Sequence, residues 1–144
     1  MDGFLGTEAS FLSDLSLVAT WALGVAAAVG AVNGRRRRIS KHCPVMATAA
    51  LLNWLPILAV MIPTWLGVAA DATRVPSGLP TIASLGHGGI GALTQLTMTY
   101  TVVRMYWLED LPPRREIWLM RAAIVLWIVT VLGGTGVYVS LYVG

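Results

Sequence analysis

Four long stretches without a formal charge divide this chain. Twenty uncharged residues lie between Asp14 and Arg35, 28 between His42 and Asp71, 29 between Arg74 and Arg104, and the last 23 follow Arg121. A helix rises about 1.5 Å per residue, so about 20 apolar residues cross the hydrocarbon core of a bilayer. The spacing predicts membrane-spanning helices over 12–33, 44–69, 81–107 and 117–142. Barrel strands are excluded, because they are about 10 residues long and alternate polar with apolar. Only 12% of the residues are charged and 56% are hydrophobic, whereas a soluble domain carries about a quarter charged. That balance excludes both a water-soluble globule and a disordered chain. The length allows one domain, a single integral membrane unit over residues 1–144.

The charges also orient the chain. The start is acidic (Asp2, Glu8, Asp14) and the basic residues follow the first apolar run, the reverse of a signal peptide. The first helix therefore reads as a retained span. Arg35, Arg36, Arg37, Arg38 and Lys41 follow it, and Arg104, Arg114, Arg115 and Arg121 surround the turn after the third. Arg74 alone falls on the other side. The positive-inside rule makes the basic loops cytoplasmic and puts both termini outside. The expected architecture is all-α: a bundle of four transmembrane helices in a bacterial or archaeal cytoplasmic membrane. The Arg35–Arg38 run reads as a stop-transfer anchor rather than a site for anionic lipid or nucleic acid. The net charge of +3 follows from that loop, and no nucleic-acid partner is expected. Trp107 and Trp118 at one interface, and Trp65, Tyr138 and Tyr142 at the other, fit the aromatic belts of any membrane protein.

Polar residues inside the spans are the candidates for function. The second helix carries Asn53, Pro56 and Pro63, and each proline removes a backbone donor and promotes a kink. Asn53 and Gln95 both fall near mid-membrane by the rise per residue. An amide left unsatisfied in lipid is costly, so an Asn53–Gln95 hydrogen bond is expected. It reads either as structural glue or as a contact to a quinone or a haem propionate. Four of the six residues Gly86-His87-Gly88-Gly89-Ile90-Gly91 are glycine. Such a run lets another backbone or a flat cofactor approach closely. His87, Gly91, Thr94, Gln95 and Met98 share one helical face. Gly133, Gly134 and Gly136 make a matching patch on the fourth helix, with Tyr138 within expected hydrogen-bond reach of His87. An ionisable residue inside a membrane is a functional candidate by default. His87 reads as a haem or metal ligand or proton carrier, or as a structural histidine with a satisfied ring. His87, Gly88, Gly91, Gln95, Asn53 and Tyr138 form the candidate cofactor set, for haem b or a quinone shared with a partner chain. No carboxylate is expected in the interior, and no nucleophile–base pair is visible, so catalysis by this chain alone is not expected.

Cys43 is the only cysteine, so no internal disulfide forms. His42, Cys43 and Met46 are soft ligands that suit copper. They are the candidate metal set, against the reading of adjacent residues at a helix start. The two histidines lie at opposite faces, about 25–30 Å apart across a bilayer, so one haem iron cannot bridge them.

The order of landmarks resembles the four-helix membrane family catalogued as domain-of-unknown-function 420, whose members are associated with cytochrome oxidase assembly. The carrying residues are Lys41-His42-Cys43-Pro44-Val45-Met46, His87, and the stretch Trp127 to Tyr138 continuing through Leu141-Tyr142. The match covers about residues 35–144. It departs at Arg114-Arg115-Glu116, where family members carry a further histidine. The expected function is an accessory integral-membrane subunit of a respiratory or related electron-transfer complex, with other membrane subunits and lipid as partners. The resemblance implies the alternative, a transient assembly factor for a haem–copper oxidase. A small haem- or quinone-binding redox protein is the second alternative. Transport fits less well, because no inverted repeat or acidic ion site is visible in the spans.

Overall fold

The computed structural model describes residues 3–72, 78–107 and 113–143, with backbone alone at 72, 79, 80, 107 and 113–116. Arg74 and the side chains of Trp107, Arg114 and Arg115 lie outside the described residues. Every regular element described is a helix: α1 (Phe11–Arg35), α2 (Ile39–Leu52), α3 (Trp54–Pro56), a π turn (Ile57–Met61), α4 (Ile62–Ala72), α5 (Leu79–Trp107) and α6 (Pro113–Tyr142). Three runs are long and apolar enough to cross a membrane: Phe11–Arg35, Ile39–Asp71 and Ile117–Tyr142. The helix α5 has the length, 29 residues. Its glycines, His87, Gln95 and threonines interrupt its apolar run, and it is not among the three. Large apolar side chains face outward on every rod, among them Val25, Leu58, Leu96 and Val125. A lipid-facing surface has this character, and a water-facing one does not.

The ends of the helices follow from local chemistry. Ser10 caps α1 by accepting from the Ser13 amide at 3.2 Å. The turn into α2 places Arg37 at φ 56°, the left-handed position that closes many helices and that usually holds glycine. Trp21 donates to Thr135 at 3.0 Å and Trp54 to Thr99 at 3.1 Å. Together with Asp14–Tyr138 and Trp65–Leu85, these bonds set α1 antiparallel to α6 and the second rod (Ile39–Asp71) antiparallel to α5. Both termini therefore share one end, here called the terminal end, and the Arg35–Lys41 turn marks the other, the arginine end.

Between the middle and the arginine end the rods are tightly packed through small residues. Ala27, Ala49, Ala50, Met98, Ala123, Trp127 and Val131 form the buried core. The second rod is irregular beyond that layer. Pro56 and Pro63 have no N–H to return to the preceding turn. The ladder slips instead, and Ile62 N–H reaches back five residues to the Ile57 carbonyl. The expected kink over 44–69 takes the form of local slips, a turn at Asn53 and a π turn at Ile57–Met61, within one helical run Ile39–Asp71.

At the terminal end the segment before α1 folds over the helix ends. Gly6 sits at φ +73°, which lets the chain reverse there without strain. Beneath the segment Asp14 is wholly buried. Its carboxylate accepts from the Leu5 amide at 2.8 Å and from the Tyr138 hydroxyl. Thr7 Oγ1 lies 2.7 Å from that same hydroxyl. The expectation of an interior without a carboxylate is therefore wrong. Asp14 ends the charged start of the chain in sequence, but residues 3–9 wrap back and seal it.

Candidate functional site

Beside the π turn of the second rod lies a cavity of about 570 Å³ toward the terminal end, lined by α1, the second rod, α5 and α6. That volume falls within the range of small-molecule sites, about 300–1,000 Å³. Asn53, His87, Gly88, Gly91, Gln95 and Tyr138 all line it. The six residues singled out by sequence thus come together around one space.

The floor is a chain of amides. Gln95 Nε2 donates to the Ala50 carbonyl at 2.9 Å, and Asn53 Nδ2 donates to Gln95 Oε1 at 2.9 Å. The Asn53–Gln95 bond expected from sequence is present. The Ala50 carbonyl only accepts, so it fixes the sense of both amides. Asn53 Oδ1 is left buried with no hydrogen-bond partner. Above the floor Thr94 and Thr130 meet at 2.9 Å and tie α5 to α6.

The walls are aromatic. Four of the six tryptophans line the cavity: Trp21, Trp54, Trp65 and Trp127. Trp21 and Trp54 donate to threonines, and Trp65 donates to the Leu85 carbonyl at 3.4 Å. Trp127 is the most buried of the four, 3% exposed, yet its Nε1 has no hydrogen-bond partner. Trp65 is more than a member of an interfacial belt. Its indole lies directly on Gly88, where a Cβ would collide with the ring. The sequence signal for that contact was the glycine run itself, which lets a flat group approach.

His87 lies against α6, with its ring over Gly133 and Gly134, and a Cβ on Gly134 would come within 2.9 Å of Cε1. The expected contact between the two glycine patches is made only by the His87 ring; Gly88 packs on Trp65 and Gly91 faces Thr130. The expected Tyr138–His87 hydrogen bond is not formed, because Tyr138 is held by Asp14 and Thr7 instead. His87 makes no hydrogen bond among the described residues and is the only imidazole at the cavity. The donor set does not fit a bis-histidine haem.

The second candidate set lies apart from the cavity, at the arginine end. The His42 Nδ1–H donates to the Gly30 carbonyl at 2.8 Å. Met46 packs over the same Gly30, and Cys43 is a half-buried free thiol. His42 and Met46 thus turn onto α1. Among the described residues no group of three or more His, Cys, Asp or Glu is placed to hold a metal ion.

In comparisons with known proteins the chain matches no family model, no curated protein and no solved structure.

Proposed function

We propose that this chain is a four-span integral membrane protein, termini outside, that holds a hydrophobic ligand on behalf of an electron-transfer complex. The observation that carries this reading is the cavity beside the π turn of the second rod, mostly apolar, with aromatic walls and a few polar groups. A slip in a membrane helix frees backbone carbonyls, and it is tolerated where the interior satisfies them. Here Gln95 meets the Ala50 carbonyl, so the opening is a supported feature of the fold. The nine basic residues around the arginine end support the cytoplasmic placement of that end. The complex partners are other membrane subunits of a bacterial or archaeal cytoplasmic membrane.

The landmarks shared with domain-of-unknown-function 420 favour a second reading, transient assistance to haem–copper oxidase assembly. One experiment separates them. The tagged native protein is purified in mild detergent, its companions are quantified, and bound small molecules are extracted with organic solvent. A stoichiometric set of redox subunits with an extracted hydrophobic ligand is expected. Traces of oxidase subunits without a stoichiometric partner would move the assignment to assembly. Neither partner nor ligand would overturn both readings.

A further inference from the structure

We infer that the cavity takes a neutral single-chain amphiphile of the monoacylglycerol class, its hydroxyl-bearing head at the terminal end and its apolar chain running inward. This rests on reading the cavity as a ligand site and specifies its chemistry.

Three polar side chains of the cavity wall are unpaired and reachable. Ser16 on α1 is 7% exposed and Ser84 on α5 is 9% exposed, and both line the cavity with His87. None of the three side chains makes a hydrogen bond among the described residues. The unpaired side-chain atoms sealed away from any ligand are Asn53 Oδ1, Arg104 Nε and Trp127 Nε1. The two serine hydroxyls and the imidazole are not among these. Threonines of the same wall are already engaged: Thr20 donates to the Ser16 carbonyl, and Thr94 meets Thr130. Leaving a buried hydroxyl without a partner is costly.

The unpaired groups share one end of the cavity. Ser84 and His87 stand three residues apart on α5, so they are neighbours on one helical face, about 5–6 Å apart at Cβ. The His87 ring lies against Gly134 of α6. Ser16 lies between Asp14 and Trp21, which bond Tyr138 and Thr135 of α6. All three are therefore level with residues 134–138, in the half nearer the terminal end. From Gly134 inward to Trp127 the wall runs about 10 Å further at the helical rise. The amides at that inner end are bonded to each other and to the Ala50 carbonyl, and Trp54, Ile57 and Leu96 make the space apolar.

Polarity thus changes along the cavity. An apolar space stays dry when empty, whereas the buried hydroxyls call for a polar partner. A molecule with a polar head and an apolar body answers both, and its head then faces the bilayer surface as it does in a leaflet. Charge selects the head. The described lining holds no Asp, Glu, Lys or Arg. An anionic head would meet no fixed cation there, and it would stand near the Asp14 carboxylate, which Tyr138 holds at this level. Like charges repel strongly where water is excluded. A hydroxyl both donates and accepts, so it suits serine and neutral imidazole in either sense. A glycerol head carries two hydroxyls, so Ser84 and His87 need not share one atom. The volume of about 570 Å³ is that of a small-molecule site and suits one chain.

The test is native mass spectrometry of the full chain in an amine-oxide detergent, whose head carries no hydroxyl. The chain is titrated with glycerol monododecanoate, methyl dodecanoate and dodecanoate. The expected result is a single one-to-one adduct with the glycerol ester, about tenfold tighter than with the methyl ester or the acid. Ser84→Ala should remove about threefold of that preference and leave the methyl ester unchanged. The comparison of the three ligands needs no protein variant, so a misfolded mutant does not blunt it. Equal one-to-one binding of all three, unaltered in Ser84→Ala, would overturn the head inference and keep the ligand cavity. Tightest binding of dodecanoate would overturn the neutral head in favour of an anionic one. Binding of none would overturn the amphiphile, and if the native protein also yields no extracted ligand, the ligand reading falls with it.

Discussion

The two ends of this molecule are built from the same four rods and behave oppositely. Toward the arginine end, α1 and α2 press together through small residues. Gly30 receives both the His42 hydrogen bond and the Met46 side chain. Ala49 and Ala50 are almost wholly buried. Toward the terminal end the second rod slips into a π turn, and the space between rods is left open. In lipid, apolar surface gives little reason for helices to meet, so close backbone packing and hydrogen bonds decide. The arginine end uses the first. The terminal end has lost it to Pro56 and Pro63 and is held by side-chain hydrogen bonds. The difference teaches that small residues alone do not close a membrane bundle: Gly88, Gly91 and Gly134 line the open end, where the neighbouring rod carries a π turn and polar pairs hold the rim.

The largest test of this contrast inserts the same volume at both ends. Ala50→Leu places extra methyl groups where 1% of the residue is exposed. It should cost about 1–3 kcal/mol, the usual penalty for overpacking. Ala92→Leu adds the same atoms to the cavity wall and should change stability by less than about 0.5 kcal/mol. Reversible unfolding in mixed micelles reads both. Equal losses would mean that the terminal end is as tightly packed as the other.

A smaller effect is expected from the polar rim. Gln95→Leu removes the amide that joins Asn53 to the Ala50 carbonyl. Interhelical hydrogen bonds in membranes are worth about 0.6 kcal/mol on average and up to about 1.7, so a loss of about 1 kcal/mol is expected. Asn53→Leu on top of Gln95→Leu should cost less than it does alone, since the partner is already gone. Strict additivity in the double-mutant cycle would show that the pair is not coupled. A still smaller change is expected from Gly88→Ala. The added Cβ pushes the Trp65 indole off its seat. Trp65 is 38% exposed and its ring has room to move, so stability should fall by only about 0.5 kcal/mol, near the limit for surface sites. Quenching of tryptophan fluorescence by brominated lipid should rise.

How much of this was legible depends on how local the signal is. The spans follow from composition over 20-residue windows. Three of the expected spans, the first, second and fourth, have helices long and apolar enough to cross a membrane, and the helix bounds fall within about five residues of those expected, Ile39 for 44 and Pro113 for 117. Asn53 and Gln95 were legible because two amides at one depth have few other partners. His87 facing Gly133 and Gly134 was legible because glycines on two helices at one level invite contact. What escaped was every feature made by chain reversal or ladder slippage. Asp14 reads as the last charge of an exposed start, and only the fold of residues 3–9 buries it. The π turn needs the competition between two prolines seven residues apart, which hydrophobic periodicity does not encode. Trp127 reads as part of an apolar run, and its unpaired donor is visible only once its neighbours are placed.

The smallest expected effect sharpens the contrast at the outermost point of the terminal end. Tyr138→Phe removes one oxygen that lies between Thr7 and the Asp14 carboxylate. The packed core near the arginine end is untouched, so the global unfolding midpoint should hold. The cap formed by residues 3–9 should loosen. It keeps the Leu5 amide bond to Asp14 but loses the anchor to α6. Local opening of such a segment is read by hydrogen exchange, which reports sub-global unfolding directly. The Leu5 amide should exchange faster in Tyr138→Phe, while amides of Ala49 and Ala50 keep their protection. If Leu5 is unaffected, the cap rests on its own turn at Gly6 and the hydroxyl is not its tie to the bundle. If Ala49 and Ala50 also lose protection, the two ends unfold as one unit and the division between a packed end and an opened end fails.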